Sequence, residues 1–431
     1  MSHIMFRQGR LARLFAGLSA AIAWVQPAVA QGGAPARDNE TVMIVLTGDV
    51  GINSNQQLVN PRGGYRGGLH LWADTTSLIA ADIIGDLNFL NLETIVTDRN
   101  DLVPDRKEQN APFNFRMHPE GLMHLVASGF NLISLANNHS MDYGVPGLEE
   151  TLRHVNALRG RGILAAAGVG PNREVASRAH LVAVKGSSVA FSAIGIVTNN
   201  LQRHRAGQDR SGQIAYRFDD DFAEVLRRLK GQAANYRILS IHYGTEGRVR
   251  ADELQLKQWR GEAALRDGID LIVGHHAHVV RGVEIAGRSL IFYGLGNFLH
   301  LGTANMTGND ICRNYGLMAR VHLGKGADGA LELRAVEAIP VTDTHVRPRR
   351  LTGEQGAQRV HALNYLAQTL DDPAGRARGV RFTPQADGSG LYCLPGAAKD
   401  AGRIGKLCRG FQAAPPIPTG LAPQIAASCG R

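Results

Sequence analysis

The chain has 431 residues and a formal net charge of +9, and 44% of its residues are hydrophobic. This composition excludes a disordered chain. The Lys and Arg residues are scattered, without an interleaved aromatic stripe, which argues against a nucleic-acid partner. The positive charge instead favours an anionic substrate or an anionic polymer as the partner.

The first thirty residues have the pattern of a secretory signal. Three arginines flank the start of the apolar run "LFAGLSAAIAWV" (14–25), and "AVA" (28–30) offers small residues for cleavage after Ala30. We therefore predict a signal peptide over 1–30, a polar linker over 31–40, and an exported protein in the periplasm or at the cell envelope. Because the segment holds three Arg and no acid, its removal leaves a net charge of +6. An uncleaved N-terminal anchor is the alternative.

From residue 41 onward, short β-branched runs alternate with amphipathic segments. The predicted buried strands include "TVMIVLTGD" (41–49), "LNFLNLE" (87–93), "FNLISLANN" (130–138), "YRILSIHYG" (236–244), "DLIVG" (270–274) and "SLIFYGLGN" (289–297). Helical patterns separate them, at 119–129, 145–162 and 221–233 among others. This alternation predicts an α/β domain over 41–345 with a substantially parallel sheet. Hairpin patterns at 181–195 and 317–341 predict antiparallel edges.

After about residue 345 the composition changes, and Gly and Pro dominate beyond one predicted helix at 354–370. We predict a C-terminal extension over 346–431, stapled by disulfides and without a second core. Four cysteines in an exported chain allow three pairings. Cys393 with Cys408 would close a short loop, and Cys312 with Cys429 would then tie the tail to the main domain.

Polar side chains follow the predicted strands where each strand ends. They are Asp49, Glu93, Asn138, His139, His242, His275, His276 and His278. In open α/β sheets, ligands bind outside the carboxyl ends of the strands, so these side chains are expected to converge. Taken singly, each is explained as a cap, a turn residue or a hydrogen-bonded core histidine. Together they predict a site for one or two divalent ions (Mn, Fe, Zn or Mg), because carboxylate, amide and imidazole groups suit such ions.

Six segments of the chain, in order, carry a family resemblance: "TGDV", "LNLET", "ISLANNHSMDYG", "SIHYG", "IVGHHAHVV" and "IFYGLGNFL". They closely resemble the bacterial CapA family, the poly-γ-glutamate capsule-biosynthesis-like proteins of the calcineurin-like metallophosphoesterase superfamily. The resemblance covers about residues 41–341. It implies a four-layer α/β/β/α sandwich, with the metal site where the loops of the two sheets meet.

The resemblance also implies roles for individual residues. The implied metal ligands are Asp49, Glu93, Asn138, His242, His276 and His278. Glu93 would bridge two ions, and His139 would act as an acid or charge stabiliser. The usual first motif, Asp-x-His, is replaced here by Asp49-Val50-Gly51, so one ion loses a ligand. Asn53, His275 or a water molecule would compensate.

Four further residues are candidates for the site, and three of them have more than one interpretation. Asp142 would either orient the His139 imidazole as a second catalytic residue or serve as a turn or cap residue. Arg116 would either bind a phosphate or carboxylate group of the substrate or form a surface ion pair. Asn297 would contact the substrate, support a ligand, or build a turn. His275 is assigned to substrate binding beside these two.

Two functions are consistent with these features. The first is an exported CapA-like protein of envelope or capsular polymer biosynthesis (a poly-γ-glutamate-like polymer), with a metal-dependent, phosphoesterase-type hydrolase site. The second is a non-catalytic metal-binding component of an envelope-polymer synthesis or export complex. The partners expected are the anionic substrate or polymer and membrane-bound polymer-synthesis proteins.

Overall fold

The computed structural model describes residues 41–52, 64–65, 68–69, 72–107, 113–197, 201–301, 308–326 and 328–430. The predicted signal peptide, the predicted linker and Asn53 lie outside these residues, and the predictions about them stay predictions. Of the helices in the described ranges, none combines the length and the apolar character needed to cross a membrane.

The strands within these ranges are numbered in chain order. They are β1 (Thr41–Ile52), β2 (Gly64–Tyr65), β3 (Gly68–Leu69), β4 (Leu87–Leu92), β5 (Ile95–Val96), β6 (Arg116–Met117), β7 (Leu132–Ser134), β8 (Ala165–Ala167), β9 (Val169–Gly170), β10 (His180–Val184), β11 (Ser187–Gly195), β12 (Gly212–Gln213), β13 (Tyr236–His242), β14 (Leu271–His275), β15 (Val283–Ala286), β16 (Ser289–Phe292), β17 (Asn297–Leu301), β18 (Gly316–Lys325), β19 (Leu331–Thr342), β20 (Arg349–Arg350), β21 (Thr383–Pro384) and β22 (Gly390–Cys393).

The helices are numbered in the same way. They are α1 (Trp72–Thr76), α2 (Pro119–Ala127), α3 (Gly144–Leu158), α4 (Arg173–Ala176), α5 (Leu201–His204), α6 (Asp219–Lys230), α7 (Glu253–Gln255, which continues as a π-helix over Leu256–Arg266), α8 (Gly353–Gln368), α9 (Gly402–Cys408) and α10 (Ala422–Cys429), with 3-10 turns at Ala80–Asp82 and Ala397–Lys399.

Two large mixed sheets organise the chain. The ten-stranded sheet has the order β21-β22-β19-β18-β1-β4-β7-β8, with β17 also paired to β1 and β20 to β19. Its strands β1, β4, β7 and β8 are parallel, and β17 runs parallel to β1. The six-stranded sheet has the order β10-β11-β13-β14-β16-β15, and its four central strands are parallel. The structure thus confirms a mixed α/β fold, with the predicted hairpins present as β10–β11 and β18–β19.

Apolar residues from both sheets share one core cluster, which includes Ile44 and Phe89 of the ten-stranded sheet and Phe191 and Val273 of the six-stranded sheet. A second cluster joins the ten-stranded sheet to α2 and α3, and a third joins the six-stranded sheet to α6 and the π-helix. Because the central strands are covered on both faces, they read as continuous apolar runs and not as alternating ones.

The segment after residue 345 takes part in the ten-stranded sheet. β22 pairs with β19, and β21 pairs with β22. The prediction that 317–341 forms an antiparallel edge is therefore wrong, because later strands cover β19. Those strands are only two to four residues long and lie among Gly and Pro, so their pattern is too short to recognise. Disulfides join Cys393 to Cys408 and Cys312 to Cys429, as predicted.

Candidate metal centre

The strand ends of both sheets supply the centre. Asp49 lies near the end of β1, and Glu93 directly follows β4. In the other sheet, His242 is the last residue of β13 and pairs with His275, the last residue of β14. Asn138 and His139 follow in the loop after β7. Parallel strands carry their carboxyl ends to one edge, which is why residues up to about 230 positions apart meet here.

Four groups of side chains in the described ranges are close enough to hold a metal ion, and two of them share one carboxylate. One of the other two, Asp98 with Glu150 and His154, contains none of the predicted site residues. Glu93, His242 and His276 form one triad, and Glu93, His278 and His300 form the other. Within each triad, one ligand atom per residue lies within 4.8 Å of the others. A third group combines Glu246, which is exposed, with His276 and His278. Carboxylate and imidazole are a donor set that divalent transition metals prefer.

Glu93 is fully buried, and neither of its carboxylate oxygens has a hydrogen-bond partner within the described part of the chain. Its Oε1 lies 3.5 Å from His242 Nε2, and its Oε2 lies 3.7 Å from His300 Nε2. Burial raises the pKa of Glu93, but the charges of His278 and His242 outweigh burial and hold that pKa well below its usual range. A buried carboxylate without hydrogen bonds is costly unless a cation compensates it, so the residues present fit a divalent ion.

Asp49 belongs to neither triad, and its oxygens contact other groups of the protein. Oδ1 accepts a hydrogen bond of 2.8 Å from Asn91 Nδ2 and lies 3.2 Å from His275 Nδ1. Oδ2 accepts the backbone N–H of His276 at 3.2 Å and lies 3.6 Å from His278 Nδ1. Burial and the charge of Glu93 raise the pKa of Asp49, but the contact with His275 outweighs them and lowers it. Asp49 thus connects β1 to the loop that carries His276 and His278 (the histidine loop), and its metal ligation stays a prediction.

The crowded histidines lie in a loop with an unusual backbone. His276 and His278 have φ angles of 85° and 55°, in the left-handed region that is costly for residues other than glycine. This places their rings 6.1 Å apart, while Ala277 between them belongs to a separate apolar cluster. Burial lowers the pKa of His276 well below its usual value. Burial also lowers the pKa of His278, but the charges of Glu93 and Asp49 outweigh it and raise that pKa.

His139 is held beside Glu93 by contacts on three sides. Its Nδ1 lies 2.7 Å from Asp142 Oδ2, and its Nε2 lies 3.9 Å from Glu93 Oε1. The Phe115 ring stacks on the imidazole with centroids 3.8 Å apart and an interplanar angle of 6°. Lys107 Nζ is 2.5 Å from Asp142 Oδ1 and 3.3 Å from His139 Nδ1. Burial lowers the pKa of His139 although Asp142 opposes this, and the short contact to Asp142 assigns the neutral ring's proton to Nδ1.

The remaining predicted site residues occupy the surroundings of the triads. Asn138 Oδ1 accepts a hydrogen bond of 2.7 Å from His242 Nε2, and Asn297 Oδ1 lies 2.8 Å from His278 Nδ1. His275 is buried and stacks on Phe89 with a centroid distance of 5.3 Å. Arg116 lies 5.5 Å from the centroid of the Tyr143 ring. Arg116 is only 8% exposed, and both interpretations of its role stay predictions. The substrate contacts of Asn297, His275 and Arg116 stay predictions.

Asn91, His300 and Lys107 are among the residues of the centre that were missed from the sequence. Asn91 lies on β4, two positions before Glu93. Because side chains alternate along a strand with a period of two, Asn91 and Glu93 are expected on the same face, and this period could have revealed Asn91. His300 was missed because the predicted strand ended at Asn297, where β17 in fact begins. Lys107 lies in a loop without a local pattern, and no sequence signal pointed to it.

The profile of the family described as bacterial capsule synthesis protein PGA_cap matches residues 43–301, which is more than half of the chain and includes both triads. The chain belongs to this family. This confirms the resemblance to CapA proteins. The capsule biosynthesis protein CapA of Bacillus anthracis is 26% identical over 292 residues, which cover 66% of each chain.

Two other relatives extend this comparison. The probable polyglutamine synthesis accessory protein of Mycobacterium tuberculosis (strain H37Rv) is 33% identical over 232 residues, covering 49% of this chain and 55% of that protein. The PGA biosynthesis protein CapA of Bacillus subtilis is 25% identical over 242 residues, covering 56% and 60%. The chain therefore spans about three fifths of the length of the curated relatives that it matches.

Proposed function

We propose that this chain is an exported component of capsular or envelope polymer biosynthesis, with a poly-γ-glutamate-like polymer as the target, and that its metal centre is a phosphoesterase-type hydrolase site. Family membership supports the biosynthetic role, as do relatives named for capsule biosynthesis and polyglutamine synthesis. Two disulfides and the signal-like N-terminus support a location in the periplasm or the cell envelope. The proposed partners are the anionic substrate or polymer and membrane-bound polymer-synthesis proteins.

We also propose that the fold is a four-layer α/β/β/α sandwich of the metallophosphoesterase type. The shared core cluster of the two sheets supports the contact between the inner layers. The clusters that join α2 and α3 to one sheet, and α6 and the π-helix to the other, support the outer layers.

The observation that carries the hydrolase proposal is the sharing of Glu93 by two triads. In this proposal Glu93 would contribute to both ion sites, with His242 and His276 holding one ion and His278 holding the other. When bound, divalent ions stabilise negative charge as Lewis acids and lower the pKa of water, the chemistry that phosphoester hydrolysis requires.

The protein's own groups would orient the substrate and move protons. Asp142 accepts a hydrogen bond from Nδ1 of His139, which leaves Nε2 on the side of Glu93. With a second proton on Nε2, the imidazolium would donate a hydrogen bond from there to a phosphoryl oxygen or give that proton to the leaving oxygen. Phe115 keeps the imidazole plane fixed, and Lys107 balances the charge of Asp142. Asp142 and Lys107 are thus positioning residues, because they act through His139.

One observation favours the second function, a metal-binding component without turnover. The first motif carries Gly51 where its histidine is expected, and both oxygens of Asp49 accept hydrogen bonds from the protein. A centre with weakened ligation would hold an ion for structure or for polymer binding without activating water strongly.

The test is metal content together with turnover of a chromogenic aryl phosphodiester. We expect at least one divalent ion per purified chain, a lower melting temperature after chelation, and turnover that chelation removes and metal restores. Bound metal without turnover on any anionic ester would favour the non-catalytic function. A chain that binds no divalent ion would refute the metal centre and the hydrolase together.

A further inference from the structure

We propose that His300 supplies the imidazole that the first motif lacks, so that a neighbouring strand completes the second triad. This inference rests on the proposed metal centre and assigns a ligand within it. His300 lies on β17, which runs parallel to β1, and the pairing of the two strands places His300 opposite Gly51. Gly51 is the position at which the motif Asp-x-His carries its histidine.

The His300 ring occupies the space into which a side chain at position 51 would extend. A Cβ atom built on Gly51 would lie 2.6 Å from His300 Nε2 and 2.8 Å from its Cδ2, closer than real Cβ contacts allow. A side chain at position 51 and the present ring of His300 therefore exclude one another. The imidazole reaches the same volume from β17 instead of from β1.

An irregularity in the strand pairing produces this placement. Asp49 pairs with Asn297, but Val50 pairs with Leu299, so β17 has one extra residue at this point. With a regular register, Leu299 would stand opposite Gly51 and His300 would lie one position further along. Extra residues of this kind redirect side chains near functional sites.

The surroundings of His300 are those of a ligand. The side chain is fully buried, its Nε2 lies 3.7 Å from Glu93 Oε2, and its ring meets the His278 ring edge-on at 5.3 Å. Asn297, at the start of the same strand, contacts Nδ1 of His278. β17 would therefore contribute two residues to one ion site: His300 as a ligand, and Asn297 as the hydrogen-bond partner of the ligand His278. One carboxylate and two imidazoles form a donor set known from zinc-type centres.

The experiment titrates metal-depleted chain with Mn²⁺ and with Zn²⁺ by calorimetry. The main variant is His300→Phe, which keeps an aromatic ring and removes both ring nitrogens, and His300→Ala accompanies it in case the larger side chain disturbs folding. The control is His322→Ala. His322 is also buried and also contacts a glutamate, with Nε2 2.8 Å from Glu337 Oε1, but it belongs to neither triad.

Both His300 variants are expected to bind one ion at least about tenfold more weakly, given that even residues supporting a ligand change metal affinity by about 10–100-fold. His322→Ala should keep the affinity of the unmodified chain. His300 variants with unchanged affinity and stoichiometry would overturn the assignment of His300 while leaving the metal centre intact. An unmodified chain that binds neither ion would overturn the centre and this inference together.

A swap gives an independent check of the geometry. Gly51→His alone should disturb the site, because the new Cβ meets the His300 ring. Combined with His300→Ala, the same substitution has the vacated space available and should recover part of the lost affinity. A double variant that binds metal no better than His300→Ala would count against the equivalence of the two positions.

Discussion

Lys107 and Asp142 form an ion pair inside the protein, with Nζ 2.5 Å from Oδ1 and side chains that are 2% and 0% exposed. Lys107 Nζ also donates a hydrogen bond of 2.7 Å to the carbonyl oxygen of Phe113. The other oxygen of Asp142 accepts from His139 Nδ1. The ion pair thereby connects the loop at 105–107 to the His139 imidazole, which lies outside both triads.

The first prediction concerns this pair. Lys107→Met leaves the carboxylate of Asp142 buried without its cation, and we expect the free energy of unfolding to fall by about 3–5 kcal/mol. Arg99→Met removes the cation of an exposed pair with Asp101 and should change the free energy of unfolding far less, because water screens the charges of that pair. Urea denaturation of both variants measures the difference. Equal losses would show that Lys107 is solvated in solution.

The second prediction separates His276 from His139. His276→Ala removes a proposed ligand, so metal content, melting temperature and any turnover should all fall. His139→Ala should keep most of the metal and most of the stability while losing turnover by about a hundredfold or more, the scale of a general acid or oxyanion donor. Elemental analysis and a phosphodiester assay of both variants provide the measurement. Full metal content in His276→Ala would refute the proposed ligand set.

The third prediction links the C-terminal disulfide to the histidine loop. Ala277 and Val279 share an apolar cluster with Cys312 and Cys429, so α10 packs behind the residues that present His276 and His278. The double substitution Cys312→Ser and Cys429→Ser should lower metal affinity as well as stability, since this disulfide closes a span of 117 residues, worth about 5 kcal/mol.

The control for this experiment is Cys393→Ser with Cys408→Ser. That pair spans 15 residues and belongs to a different apolar cluster, with Leu391 and Ile404. Its loss should cost about 3 kcal/mol of stability and leave metal affinity unchanged. If both double variants change metal affinity equally, the support of the loop by α10 is not specific.

The fourth prediction is a pH dependence of stability away from the metal centre. Burial, aided by the charges of Arg159 and Arg178, lowers the pKa of His180 to about 4. The unfolded chain then binds this proton between about pH 6.5 and pH 4 while the folded chain does not. The contribution of neutral His180 to the free energy of unfolding is therefore fully present above about pH 6.5 and is lost as the pH falls towards 4.

His180→Gln removes this titration, so the stability of the variant should fall less steeply than that of the unmodified chain as the pH is lowered from about 6.5 to 4. Urea unfolding of the variant and the unmodified chain at a series of pH values between 4 and 7.5 measures the difference. Parallel pH profiles for the two chains would contradict the lowered pKa of His180.

Local patterns were sufficient for most of the fold. The apolar runs that predicted β1, β4, β13 and β14 are buried on both faces, and burial is what makes such runs recognisable. Where an element is short, its pattern is lost among turn residues. β7 has three residues where nine were predicted, and β21 and β22 went unrecognised for the same reason.

Asp49, Glu93 and His242 each follow an apolar run, and parallel strands bring such ends to one edge, so the strand ends that carry chemistry could be recognised from local patterns. How these groups combine depends on contacts between segments that are far apart in the chain. The sharing of Glu93 by two triads depends on two sheets meeting, and the position of His300 depends on one extra residue in the pairing of β17 with β1. The ion pair of Lys107 with Asp142 depends on the path of a loop. These are contacts between distant segments, and their register is set by packing that no local pattern encodes.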